Sequence, residues 1–220
     1  LAAIRIVGAN VLALPVESDG KAYILMAEAM AGGMPPADNF GQVAFYSVGY
    51  PLFLTPFVAA FGSGLSIVIL VNAALAVASG VLVFALAKTL GLRRIFALVA
   101  VMLFAVWIPG VWNGAQAAKE NLSIPLLLLL LLAAIRIYQG GGVKWLVVAG
   151  LSYGFGLLTG GSTILLIMLP VIALYFDTGR AWAAKLKHFV LVAISCAAIV
   201  VPWLVFTATT LGAPVLNTNG

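Results

Sequence analysis

Charge is scarce in this sequence, with six acidic and eleven basic residues among 220. Soluble domains carry charge at roughly a quarter of their positions, so a chain that is 8% charged and 64% hydrophobic cannot cover itself against water. That shortage excludes an ordinary soluble domain. Cysteine is scarcer still: Cys196 stands alone in an apolar run, which rules out an intramolecular disulfide and any cluster of thiolate metal ligands. The one histidine, His188, follows Lys187 at an expected membrane boundary and reads as an interfacial side chain rather than a catalytic one. The excess of cations is scattered, not clustered, so it argues for topology and anionic lipid head groups and against nucleic acid. No repeat with a period of tens of residues occurs, and no stretch is long enough to fold as a separate soluble domain.

What is present is an alternation. Lys88, Arg93, Arg94, Arg136, Lys144, Arg180, Lys185 and Lys187 fall on one set of connections between apolar runs, while Glu17, Asp19, Glu28, Asp38 and Glu120 fall on the other. Only Asp177 breaks the acid pattern. Short loops rich in Lys and Arg are retained in the cytoplasm, which places the acids on the outer face of the cytoplasmic, or inner, membrane. A bilayer core of about 30 Å takes roughly 20 helical residues. The apolar runs then predict an all-α, polytopic transmembrane helix bundle, a single domain with about seven spans over residues 1–16, 65–90, 95–108, 120–138, 143–158, 162–176 and 188–206. Arg5 near the start of the first span is expected if the cytoplasmic end of that span has been cut away or if Arg5 snorkels to the inner interface. A chain that starts with Leu1 and stops just after an apolar run reads as a piece of a longer protein.

The segment 17–64 is too polar to cross and too apolar to float free, so it is expected to be an outer loop with interfacial helices. Tyr23, Met26, Ala27 and Met30 recur at helical spacing on one face, suited to a helix lying on the outer leaflet. Gly32-Gly33 ends that helix, and a second apolar piece from Tyr50 to Phe61 re-enters the interface. Tyr46, Tyr50, Trp107, Trp112 and Trp203 fit an outer aromatic belt.

Two groups of residues carry potential chemistry. Glu17-Ser18-Asp19 emerges directly after the first span, where paired carboxylates suit deprotonation of an acceptor hydroxyl or amine, or the holding of a divalent cation beside a phosphate. The alternative is that Ser18 or Asp19 only caps the helix that follows. Asn113, Gln116, Lys119 and Glu120 stand at the outer mouth of the fourth span; Gln116, Lys119 and Glu120 would share a face if helical. There the alternative is a Lys119–Glu120 pair that fixes helix depth.

The order of these features resembles a known group. Glu17-Ser18-Asp19 with Tyr23, then Gly49-Tyr50-Pro51-Leu52-Phe53-Leu54, Glu120 opening a leucine-rich span, Pro202-Trp203, and Pro214 to Asn217-Thr218-Asn219-Gly220 follow the pattern of membrane-embedded glycosyltransferases of the C-type fold. The resemblance is to the bacterial relatives of protein O-mannosyltransferases and of the lipid A aminoarabinose transferase. It implies transfer of a sugar from a polyprenyl-phosphate donor to a protein, lipid or glycan acceptor on the outer face. By position, Asp19 would be the general base with Glu17 supporting it, and Tyr23, Tyr50, Lys119 and Glu120 would bind substrate. A divalent cation, magnesium or manganese, and metal-free base catalysis both remain open. Other classes are a transporter or flippase of lipid-linked sugars, which calls for polar residues deep in the spans, and a noncatalytic scaffold packed through Gly150, Gly154 and Gly156.

Overall fold

The computed structural model describes residues 1–12, 19–160, 165–176 and 181–218. They form an all-α bundle: α1 (Ala2–Leu12), α2 (Asp19–Ala31), α3 (Gly49–Phe61), α4 (Leu65–Thr89), α5 (Arg94–Val106), α6 (Ile108–Gly114), α7 (Glu120–Tyr138), α8 (Val143–Thr159), α9 (Met168–Tyr175) and α10 (Trp182–Leu211). Among the described residues no β-strand forms, and Ala37 and Val43 make one isolated antiparallel bridge.

Three helices are long and apolar enough to cross a membrane: α4, α7 and α10. At 1.5 Å per residue α4 extends about 37 Å, comfortably more than a hydrocarbon core. The bounds of α7 coincide with those read from its apolar run, whereas α10 starts earlier and ends later than 188–206. The third expected span, 95–108, matches α5 to within two residues, but the short helix that follows it was not expected. Helix α5 stops at Val106, and α6 leaves it at 55°, the pair together meeting the test for one broken span. Pro109 in the first turn of α6 accounts for the break, because it has no N–H to bond the Ala105 carbonyl four residues back and its ring would crowd that carbonyl in a continuous helix; Trp107 is extended instead (φ −61°, ψ 112°). The remaining apolar helices α1, α3, α8 and α9 are shorter.

Arg5 corrects an expectation from the sequence. It does not reach the inner boundary; it is 2% exposed, its guanidinium lies 5.8 Å from the centre of the Phe104 ring, and Nη2 donates to the Phe104 carbonyl at 3.4 Å. That carbonyl sits at the α5–α6 break, where the helix no longer supplies a full partner. Space for the guanidinium exists because residue 110 is glycine: a Cβ there would stand 2.7 Å from Nη2.

Charge separates along the bundle as the sequence implies. Gln139 Nε2 donates to the Thr89 carbonyl (3.2 Å), so α4 and α7 finish at the same level, and Lys88, Arg93, Arg94, Arg136 and Lys144 cluster at this end. The opposite end carries α2, α3 and the connection from α6 to α7. There Tyr23, Ala27, Tyr50, Leu54, Val68, Val71, Ala117 and Leu122 form one buried cluster joining α2, α3, α4, the α6–α7 connection and α7. The apolar face of α2 is therefore turned onto the protein, with Tyr23, Met26 and Ala27 buried and Met30 half-buried. A second cluster, including Leu130, Ile137, Leu146, Ala149 and Val192, unites α7, α8, α9 and α10 lower in the bundle.

Two members of the expected aromatic belt are core residues instead. Tyr50 is fully buried, and Trp203 is 8% exposed with its indole N–H donating to the Leu216 carbonyl at 2.9 Å. Trp107 and Trp112 stay exposed.

Candidate functional site

Asp19 opens α2, where a carboxylate favours the positive end of the helix. Glu17, its expected companion, lies outside the described residues. One turn on, Tyr23 turns inward and is held edge-on by two other rings, Tyr46 at 5.8 Å and Tyr50 at 5.7 Å. The Tyr50 hydroxyl donates to Asn72 Oδ1 at 2.8 Å. Asn72 is a polar residue inside α4 and only 1% exposed; its Nδ2 donates in turn to the carbonyls of Gln116 (2.8 Å) and Gly114 (3.3 Å). One carboxamide thus ties α3, α4 and the α6–α7 connection together.

From the other side Asn121 Nδ2 lies 2.8 Å from the Asn113 carbonyl, 3.0 Å from that of Ala118 and 3.3 Å from that of Gln116. Residues 113–118 are consequently fixed, although they are not helical beyond Gly114. Gln116, Lys119 and Glu120 therefore do not share a helical face: Gln116 and Lys119 lie in turns, and Glu120 begins α7. They meet nonetheless. An open cavity of about 330 Å³ is lined by Asp19 and Tyr23 from α2 and by Asn113, Gln116, Lys119 and Glu120 from the connection. Small-molecule sites start at about this size. The structure brings Asp19 and Tyr23 into one lining with Lys119 and Glu120, two groups the sequence reading kept separate, and sets Tyr50 behind the wall as a support for Tyr23.

The electrostatics follow from this arrangement. Burial, reinforced by the charges of Asp19 and Glu120, pushes the Tyr23 phenol far above its ordinary range, so both carboxylates act on one ring. Tyr46 is raised as well, by burial first, then by the Asp19 charge, by its hydroxyl's hydrogen bond to the Asp19 carboxylate, and by Asp38. Both tyrosines are therefore neutral donors at any physiological pH and cannot serve as bases. Asp38 itself holds a turn: its Oδ1 accepts the backbone N–H groups of Phe40 and Gln42, each at 2.8 Å. Among the described residues no three of His, Cys, Asp and Glu gather to hold a metal ion.

Tyr46 reaches this site through a loop tied from far along the chain. Ala44 has a left-handed backbone (φ 63°), and its carbonyl accepts the Thr218 N–H at 2.7 Å; Asn217 Nδ2 donates to the Ser47 hydroxyl at 3.0 Å. The segment after α10 is itself anchored through Thr207, whose hydroxyl accepts the Val215 N–H at 3.1 Å. Asn72, Asn121 and Tyr46 were not legible as site residues. An asparagine inside an apolar run was the one available signal, since a polar group in a span needs a partner.

A multi-pass helical membrane protein with a polar, carboxylate-bearing cavity at one end is the class these features define. The family profile described as dolichyl-phosphate-mannose-protein mannosyltransferase matches residues 47–206, most of the chain, and the protein belongs to that family of membrane glycosyltransferases. Tyr46, Asp19 and Tyr23 precede the matched region; Tyr50, Asn72, Lys119 and Glu120 fall within it. No curated protein and no solved structure matches the chain. The family works with lipid-linked sugar donors and acceptors in membranes.

Proposed function

We propose that the cavity between α2 and the α6–α7 connection is where a sugar passes from a polyprenyl-phosphate donor to an acceptor, on the outer face of the cytoplasmic membrane. The observation that carries this reading is the convergence of Asp19 with Lys119 and Glu120, far apart in sequence, on one polar cavity at the acid-rich end of an apolar bundle. Asp19 accepts the proton of the acceptor hydroxyl or amine. The freed lone pair attacks the anomeric carbon, the bond from that carbon to the phosphate oxygen breaks, and the polyprenyl phosphate leaves with the bonding electrons. Lys119 balances the charge gathering on that phosphate, at a depth where the prenyl chain stays in lipid. Glu120 accepts hydrogen bonds from sugar hydroxyls across the cavity, and Tyr23 donates one from the floor. Glu17 adds a second carboxylate beside Asp19.

The polar residues inside the spans do not favour a transporter. Asn72 is committed as described, and the hydroxyls of Ser79 and Ser195 donate to their own helices, at Leu75 (2.9 Å) and Leu191 (2.8 Å). Chemistry at one surface accounts for the acids better than conduction does.

The decisive experiment uses purified protein in lipid nanodiscs, a labelled polyprenyl-phosphate hexose and a panel of peptide, lipid and glycan acceptors. Asp19→Asn is expected to lower transfer by about 10²–10⁴-fold, the usual contribution of a general base, while insertion and thermal stability hold. Normal turnover by that variant removes Asp19 from the role. Cysteines introduced between residues 17 and 61 should react with a membrane-impermeant maleimide from outside; labelling only from the cytoplasm defeats the topology.

A further inference from the structure

Four side-chain amides belong to or contact the α6–α7 connection, and they divide into two kinds. Asn72 and Asn121 spend their N–H donors on main-chain carbonyls of residues 113–118. Asn113 and Gln116 are the residues so gripped: their carbonyls receive those bonds, and the Gln116 N–H donates to the Asn113 carbonyl at 3.1 Å. Among the described residues the carboxamides of Asn113 and Gln116 themselves donate no hydrogen bond, and both residues line the cavity that Asp19 also lines.

We infer that Asn113 and Gln116 are specificity-determining residues that read the hydroxyl pattern of the transferred sugar, a role resting on the proposed function. A carboxamide offers a donor and an acceptor in one plane, as adjacent hydroxyls do, and it is uncharged, so it discriminates by geometry and not by attracting anions. Its backbone is already immobilised, which reduces the ordering lost on binding. A polar site built to meet a particular hydroxyl rejects a sugar that misplaces it, because the protein group is then left unpaired. The cation beside them, Lys119, is suited to the phosphate instead. The wall therefore separates two tasks: the amides select the sugar, and the ammonium holds the leaving group.

The test measures binding of the full chain in nanodiscs to polyprenyl phosphate alone and to synthetic polyprenyl-phosphate glucose, mannose and galactose. Wild type is expected to bind one hexose lipid more tightly than its epimers. Gln116→Leu and Asn113→Leu should weaken that preferred ligand about tenfold each, the worth of one well-placed hydrogen bond, flatten the epimer ranking, and leave bare polyprenyl phosphate unchanged. Gln116→Ala and Asn113→Ala remove the carboxamides without adding bulk or charge beside Lys119, so they stand in if the leucine variants misfold; they should also lose discrimination. Equal weakening of the bare lipid, or unchanged epimer ranking in correctly folded variants, overturns the assignment. Wild type that binds polyprenyl phosphate but ranks the epimers equally overturns it too, while leaving the transferase reading standing. Failure to bind any of the four lipids refutes both.

Discussion

The two ends of this bundle are held together by different physics. Around the cavity, segments distant in sequence are joined by side chains reaching main-chain groups: Asn72 to the carbonyls of Gly114 and Gln116, Asn121 to that of Asn113, Trp203 to that of Leu216. Between α8 and α10 the joint depends on what is missing from the side chains. A Cβ at Gly154 would stand 2.8 Å from the Cys196 carbonyl, and one at Gly150 would collide with the Val192 carbonyl and Ser195. Inside a membrane, apolar contact with a neighbouring helix replaces apolar contact with lipid, so close approach through small residues has to supply the attraction. The glycine joint sets how closely two helices pack; the amide network sets the position of residues that line the cavity.

Breaking the glycine joint should have the largest effect on folding. Gly150→Leu forces a side chain into backbone, which cannot yield as a flexible tip would, and should cost about 3 kcal/mol. Loss of the monodisperse peak in detergent chromatography, or a steep fall in thermal midpoint, would report it; a variant as stable as wild type would show that α8 and α10 are farther apart. Next comes Asn72→Leu, which strands two carbonyls and the Tyr50 hydroxyl and should cost about 2 kcal/mol. Its distinguishing sign is that donor binding falls along with stability, whereas a milder glycine variant, Gly154→Ala, should lower stability with binding intact.

Tyr46→Phe is gentler and sharper. It removes only the hydroxyl that bonds Asp19 and leaves the ring against Tyr23. Turnover should drop about tenfold at unchanged KM, with the melting temperature held; a matching rise in KM would mean Tyr46 touches substrate. The smallest effect is spectroscopic. Tyr23 and Tyr46 hold their protons more tightly folded than unfolded, so the stability they contribute is complete below the ordinary phenol value of 10.0 and declines as pH rises above it. Phenolate absorbance at pH 10 should therefore be lower in folded than in denatured protein, and equality would mean these rings are wetter than their packing implies.

Hydropathy alone recovers α4 and α7 almost residue for residue, because a long apolar run has few other ways to satisfy its backbone in lipid. It also ends the third span within two residues of the end of α5, and misses only the short helix α6 that follows the bend at Trp107. Asp19, Tyr23, Lys119 and Glu120 were legible as polar residues at apolar boundaries. Their convergence was not, since it depends on Asn72 and Asn121 acting across 42 residues or more in one case and eight in the other. Tyr50 and Trp203 were read as belt residues because burial by tertiary contact leaves no local trace in sequence.

The left-handed backbone at Ala44 has an effect that reaches well past its own turn. An alanine in that region costs about 1 kcal/mol or more over a glycine, and the Thr218 N–H and hydroxyl, 2.7 and 3.3 Å from its carbonyl, hold it there. The angle at which the chain delivers Tyr46 to Asp19 is thereby set by the tail of α10. A one-residue slip in that tail would swing a tyrosine away from the carboxylate without disturbing a single helix.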